Sequence, residues 1–258
     1  MTLNYSVKLK TLVFFISLFY SFTANAIVLE ALEKDGKLSE VFENHKICFY
    51  PGSFDPLHNG HVEVANYVLD QNWCDYTLVY PSWGGDNYKK RQDINIRLDM
   101  LFSVFESHPK ILVTRLNPIS LQKTLTASGG DKVISKFPGT EYIGVIGSDV
   151  ALALDDNIDA LSKFMSGTKI PKRYEDATIG GLMALPAKTF IVSIREGDNI
   201  DAVGEELGDR KIIQSFKTTN FADLSSSQVK KIIFENGDVS NLVPAKVLEI
   251  INSKWLYR

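Results

Sequence analysis

The chain has 258 residues, of which 45% are hydrophobic, and a formal charge of −3 from 28 basic and 31 acidic side chains. That is enough apolar material for one sizeable α/β core, and the mild acidity excludes a nucleic-acid partner held by a broad basic face. No internal repeat or low-complexity tract interrupts the sequence.

Met1 to Lys10 carries Lys8 and Lys10 and no acid, Leu12 to Phe22 is almost wholly apolar, and Ala24-Asn25-Ala26 closes the stretch. This is the layout of a secretory signal peptide, too short for a comfortable membrane span. Residues 1–26 are therefore expected to be an export signal, with a periplasmic or secreted mature chain starting at Ile27. A buried N-terminal helix, leaving the protein cytoplasmic, and an uncleaved anchor are the alternatives. Cleavage removes two lysines and no acid, which moves the charge from −3 to −5. Residues 27–45 read as a helical extension, with Leu29, Leu32 and Leu38 apolar between solvated Glu30, Glu33, Lys34 and Glu40.

From Lys46 onward, short Val/Ile/Tyr-rich runs alternate with helical patterns. Strands are predicted at Ile47–Tyr50, Tyr76–Tyr80, Ile111–Thr114, Tyr142–Ile146, Phe190–Ile194 and Lys211–Phe216. Helices are predicted at Gly60–Asp70, Ile94–Glu106, Ser120–Ala127, Ser226–Asn236 and Pro244–Asn252. Near-continuous apolar runs indicate parallel strands covered on both faces, hence a doubly wound, Rossmann-like sheet in a single domain over 46–258. Ligands of such sheets sit beyond the carboxyl ends of the strands. The two cysteines, Cys48 and Cys74, each lie beside a predicted strand and are read as buried free thiols; a bond between them, in an oxidising compartment, is the alternative.

The first strand runs into Gly52-Ser53-Phe54-Asp55-Pro56-Leu57-His58-Asn59-Gly60-His61 and then a helix. Amides at a helix start, with the positive end of the dipole behind them, accept a phosphate. Gly52 allows close approach of a ligand, and His58 and His61, with Gly60 between them, can face one anion. Histidine donors at such a loop suit phosphoryl or nucleotidyl transfer, where stabilising charge on phosphorus supplies most of the rate. The same residue types also build ordinary turns, and the pair alone fits half a metal site.

Four later stretches fall at the same sheet edge. Pro81 to Arg91 ends in three consecutive cations; Lys89 or Lys90 reaches a phosphate and Trp83 or Tyr88 stacks on a base, or the run is plain surface charge. In Gly147-Ser148-Asp149 the acid either caps a helix or accepts from ribose hydroxyls. Arg195 pairs with a phosphate or with Glu196. Ser225, Ser226 and Ser227 open a helix that puts Lys230 one turn inside, which caps the helix or grips the outer phosphates of a triphosphate.

Gly52 to His61 resembles the G-x-F-D-P-x-H-x-G-H signature of the nucleotidyltransferase superfamily in every fixed letter. Ile146-Gly147-Ser148-Asp149 is similar to the I-G-x-D turn, and Ser225 to Lys230 to the S-S-T-x-x-R motif, of nicotinate and nicotinamide mononucleotide adenylyltransferases. Gly85 to Lys90 and the closing Leu256-Tyr257 also look like that family, and the likeness spans Lys46 to Arg258. The resemblance implies transfer of AMP from ATP, accompanied by Mg²⁺, to the phosphate of a pyridine mononucleotide, with release of pyrophosphate. It assigns catalysis to His58, His61 and Lys230. With the positional readings above, nucleotide binding is expected of Gly52, Ser53, Phe54, Gly60, Lys89, Gly147, Asp149, Arg195, Ser226 and Ser227, and no metal ligand is expected of the protein.

The expected partners are thus ATP and a mononucleotide acceptor, with no nucleic acid, a membrane only through the export signal, and a homo-oligomer left open. Lys230 stands where the family has arginine, and Ser120 and Leu121 where it has tyrosine and threonine; 155–185 is longer than usual. The alternatives are a pantetheine-phosphate adenylyltransferase or cytidylyltransferase, or an exported nucleotide-binding protein with weak catalysis.

Overall fold

Parallel pairing puts apolar side chains on both faces of a strand, and Lys46–Gly52 shows why the runs here are unbroken: Ile47 and Phe49 face one core cluster, Cys48 and Tyr50 the other. The structure, a computed structural model, describes residues 27–83, 91–129, 132–155, 186–195, 198, 206–207 and 210–258. The export segment, Lys89 and Lys90 with Gly84 to Tyr88, Glu196 and residues 156–185 lie outside the described residues.

In chain order the elements are β1 (Ile27–Val28), α1 (Leu29–Lys34), α2 (Leu38–Phe42), β2 (Lys46–Gly52), α3 (Asn59–Asp70), β3 (Tyr76–Pro81), α4 (Ile94–Phe105) and β4 (Ile111–Val113). Then come α5 (Pro118–Leu125), β5 (Thr126–Gly129), β6 (Lys132–Ser135), β7 (Glu141–Gly147), α6 (Ser148–Asp155), β8 (Thr189–Ser193), β9 (Glu206–Leu207) and β10 (Arg210–Phe216). Two helices, α7 (Ser226–Phe234) and α8 (Ala245–Ser253), complete the chain. Among the described residues no helix is long and apolar enough to cross a membrane.

The main sheet has the order β1-β4-β3-β2-β7-β8-β10-β9, parallel throughout except for β9 at one edge. From β2 the chain winds outward through β3 to β4, then returns to β7 and winds the other way through β8 to β10. The winding reverses between β2 and β7, and a crevice opens at their carboxyl ends. Beneath it, Val64, Ala65 and Val68 of α3 pack with Met100 and Leu101 of α4, Val229 of α7 and Val247 of α8 on one face. Leu29, Phe42, Leu121 and Leu125 cover the other. Each buried Val, Leu, Met or Phe side chain among them contributes roughly 1.5–3 kcal/mol relative to exposure.

Sequence reading placed the six central strands and the chief helices. Residues 27–45, expected to be helical, begin instead with a two-residue strand, Ile27 beside Leu112, before α1 and α2 bury Leu29 and Phe42. The helix expected at Ser120–Ala127 lies two residues earlier, because Asn117 accepts the Ser120 amide at 2.9 Å and Pro118 occupies the first helical position. Thr126 then enters the β5–β6 hairpin. The reading of two free thiols is corrected too: Cys48 of β2 and Cys74, just ahead of the adjacent β3, are joined by a disulfide with Cα atoms 5.6 Å apart. That bond closes a covalent loop around the whole stretch from Gly52 to α3.

Candidate active site

The turn after β2 is held in a costly shape. Phe54 has φ +48°, in the left-handed region that disfavours a side chain by about 1 kcal/mol or more. Burial of its ring compensates: it meets the Tyr50 ring edge-on at 5.6 Å and the His61 ring at 4.9 Å. Arg97 of α4, almost fully buried, stitches the turn from below. Its Nη1 donates to the carbonyls of Ser53 and Ser82, both at 2.9 Å, and its Nε to that of Gln92 at 3.0 Å. The ends of β2 and β3 and the start of α4 are thereby fixed to one guanidinium.

His58 is the N-cap position of α3 and His61 lies in its first turn, so the two rings stack at 3.6 Å. The His58 backbone N–H donates to His61 Nδ1 at 3.3 Å. A neutral His61 therefore carries its proton on Nε2, as a donor. Both ring nitrogens of His58 are buried and have no hydrogen-bond partner, a condition costly enough to mark a ligand site. Burial, with the nearby Arg195 cation second, pushes the His58 pKa down to about 3. Burial, then His58 and Arg195, holds His61 well below the usual histidine range. At neutral pH the pair is uncharged and offers hydrogen bonds in a site whose charge comes from elsewhere.

Gly60 is required by proximity. A Cβ there would lie 2.9 Å from the Phe221 carbonyl and 3.1 Å from His58 Nδ1. The segment before α7 crosses at this point, fastened by Glu63. One Glu63 oxygen accepts the Thr219 and Asn220 amides at 3.0 and 3.1 Å, and the other accepts the Phe221 amide at 3.0 Å. At α7 itself Ser225 is the N-cap, in a reciprocal box with Gln228. Ser226 Oγ donates to the Pro56 carbonyl at 3.0 Å, tying α7 to the histidine loop.

The crevice encloses about 200 Å³. Of the sequence-predicted residues it brings together Gly52, Ser53, His58, Gly60, His61, Gly147, Asp149, Arg195, Ser226, Ser227 and Lys230 on its lining. The Phe54 ring belongs to the core beneath, and Lys89 lies outside the described residues. Arg195 Nη1 pairs with Asp149 at 3.4 Å, a partner not anticipated from sequence, and Asp149 sits in the first turn of α6. Leu121 is fully buried in the second core, and Trp83 packs against that cluster. Sequence reading gave no role to Asp55, Arg91, Thr218 or Phe221, which also line the crevice, or to Arg97 and Glu63 behind it. Among the described residues no group of three His, Cys, Asp or Glu side chains is arranged to hold a metal ion.

A crevice at the winding switch point, with two neutral histidine donors, arginine and lysine cations and a hydroxyl-bearing helix start, defines a nucleotide-handling transferase. The chain belongs to the cytidylyltransferase-like family, whose model matches residues 49–232, and is a nucleotidyltransferase. It is similar to a probable nicotinate-nucleotide adenylyltransferase of Fusobacterium nucleatum, at 24% identity over 215 residues covering 82% of this chain and 99% of that one. A protein of the same name from Clostridium tetani is 25% identical over 224 residues, covering 83% and 99%. Among solved structures, the Plasmodium falciparum nicotinic acid mononucleotide adenylyltransferase complexed with NaAD superposes with a TM-score of 0.53 at 18% identity, covering 82% of this chain and 97% of that one. This last likeness is one of fold.

Proposed function

We propose that the protein transfers the adenylyl group of MgATP to the phosphate of nicotinate mononucleotide or its nicotinamide counterpart. A phosphate oxygen of the mononucleotide attacks the α-phosphorus in line, the bond from that phosphorus to the bridging oxygen of the β-phosphate breaks, and pyrophosphate leaves with both electrons of that bond. The product is two mononucleotides joined through a new phosphoanhydride. No protein nucleophile is needed, so catalysis reduces to positioning and to stabilising charge at phosphorus.

The observation that carries this reading is the stacked His58–His61 pair on the crevice wall, with both ring nitrogens of the buried His58 unsatisfied. His61 Nε2–H and His58 donate to the α-phosphate oxygens, and amides of the Gly52–Phe54 turn hold the attacking phosphate. Ser226, Ser227 and Lys230 hold the leaving pyrophosphate; Asp149 accepts from a ribose hydroxyl and Arg195 contacts phosphate. Among the described residues, both carboxylates on the crevice wall are already paired, Asp55 with Lys230 and Asp149 with Arg195. Mg²⁺ would come with the triphosphate substrate, where it would supply charge neutralisation. The names of the curated relatives support the choice of acceptor.

The test is to incubate the protein with MgATP and, separately, nicotinate mononucleotide, nicotinamide mononucleotide and phosphopantetheine, and to measure pyrophosphate. Release confined to a pyridine mononucleotide is expected; release with phosphopantetheine alone, or with none, would replace the proposal.

The export reading is a proposal of the same standing. It draws on the signal-like pattern of Met1 to Ala26 and is supported by the buried Cys48–Cys74 bond, a pairing that persists in oxidising compartments. Protein recovered from the native cell envelope or medium is expected to begin at Ile27; recovery of intact chain from the cytosol alone would contradict it.

A further inference from the structure

Asp55 is 1% exposed, yet it lies in the wall of the crevice with both carboxylate oxygens committed to residues from the far end of the chain. Oδ2 accepts Lys230 Nζ at 3.2 Å. Oδ1 accepts the Tyr257 hydroxyl at 2.6 Å and, more weakly, the Gln92 amide at 3.3 Å. The Tyr257 contact has the short length of a hydroxyl bonded to an ionised carboxylate.

The tail that delivers this hydroxyl is fixed at a backbone cost. Trp255 and Tyr257 have φ +55° and +64°, conformations that disfavour both side chains, and Leu256 between them is buried in the first core. Burial, with the Asp55 charge second, keeps the Tyr257 hydroxyl protonated far above neutral pH, so it acts as a donor and never as a base. The Tyr257 ring also stands 5.9 Å from Lys230 Nζ.

A lysine head is a point charge on a four-carbon stem and has no rigid fork to aim it. Its ammonium carries three donors. With one given to Asp55, two remain for oxygens in the crevice, and the stem has lost its freedom before any ligand arrives. Preorganisation of that kind raises affinity by removing an ordering cost.

We propose that Tyr257 is a positioning residue for the site: by holding one oxygen of Asp55 it fixes the other as the anchor of Lys230, which aims that ammonium at the pyrophosphate end of the substrate. The inference rests on the adenylyl-transfer reading for its meaning in turnover, but pyrophosphate binding reads it independently of the acceptor.

The experiment is a double-mutant cycle on the full chain, titrating inorganic pyrophosphate with Mg²⁺ calorimetrically into wild type, Tyr257→Phe, Lys230→Met and the double variant. Tyr257→Phe keeps the ring and removes only the hydroxyl. It is expected to weaken pyrophosphate about threefold to tenfold, less than the full worth of a hydrogen bond to a charged group because the hydroxyl acts on the ligand only through Asp55 and Lys230. In the Lys230→Met background it should do nothing further, because the residue it positions is gone. With substrates, the same variant should lower kcat and leave KM for the mononucleotide unchanged. An unchanged or tightened affinity in Tyr257→Phe would overturn the proposal. So would an equal loss in both backgrounds, which marks a structural tyrosine, and so would a wild type that does not bind pyrophosphate. If no acceptor yields pyrophosphate while the cycle behaves as expected, the transfer reading fails and the positioning role stands.

Discussion

Glu63 is not among the residues lining the crevice, yet the geometry makes it the fastener of one wall of the site. Its carboxylate accepts three successive backbone N–H groups, of Thr219, Asn220 and Phe221, and the Asn220 side-chain amide at 3.3 Å. Glu63→Gln keeps the volume but replaces one oxygen with an NH₂ that faces backbone N–H donors and cannot accept. Hydrogen bonds to a charged group are worth about 1.5–3 kcal/mol each, and the half-exposed setting discounts the whole cluster to about 2 kcal/mol. For a chain of this size that loss should lower Tm by about 4–8 °C. The freed segment carries Thr218, Phe221 and Leu224 of the crevice lining, so KM for MgATP should rise as well, by up to about tenfold for each 1.4 kcal/mol that falls on the segment alone. The assay pairs thermal unfolding with steady-state kinetics, using Glu235→Gln as control. Glu235 meets Lys231 only at 4.0 Å on an exposed helix face, where ion pairs contribute little. If Glu63→Gln leaves both Tm and KM at the control's values, the segment is held by something else and the reasoning fails.

Acid lability should follow from His58. Its pKa is about 3 in the folded chain against 6.5 in the unfolded one, so below about 6.5 only the unfolded state takes the proton, and stability falls with pH until about 3. In His58→Gln the slope of unfolding free energy against pH over this window should be shallower by up to one proton; an unchanged slope would refute the burial argument. Reduction of the Cys48–Cys74 bond removes a constraint on a 26-residue separation, worth roughly 3 kcal/mol to the unfolded state. A Cys48→Ala/Cys74→Ala protein should therefore lose stability on that scale under denaturant, and unaltered stability would contradict it.

The strand-loop-helix and its histidines were legible in the sequence because every residue that builds them is local. An apolar run, a glycine-bearing turn and a 3.6-residue period specify the unit, and the stacking of His58 on His61 follows from their spacing. What was illegible depends on partners distant in sequence. Ile27–Val28 is a strand only because β4 lies beside it, and nothing local to Arg97 announces the three carbonyls that accept from it. Asp55 reads as a turn former until Lys230 and Tyr257, 175 and 202 residues away, are seen on its two oxygens. The Asp149–Arg195 pair likewise needs β7 and β8 to be neighbours. The α5 boundary was recoverable, since Asn117-Pro118 is a cap followed by a first-position proline.

The central claim is that the two neutral histidines stabilise charge at the reacting phosphorus. The most direct measurement is kcat for pyrophosphate release from MgATP and nicotinate mononucleotide by wild type and His61→Ala at neutral pH, with circular dichroism to verify the fold. The account predicts a loss of roughly a hundredfold or more in kcat with the fold intact, the size of one preorganised donor. A folded His61→Ala protein turning over at the wild-type rate would contradict it.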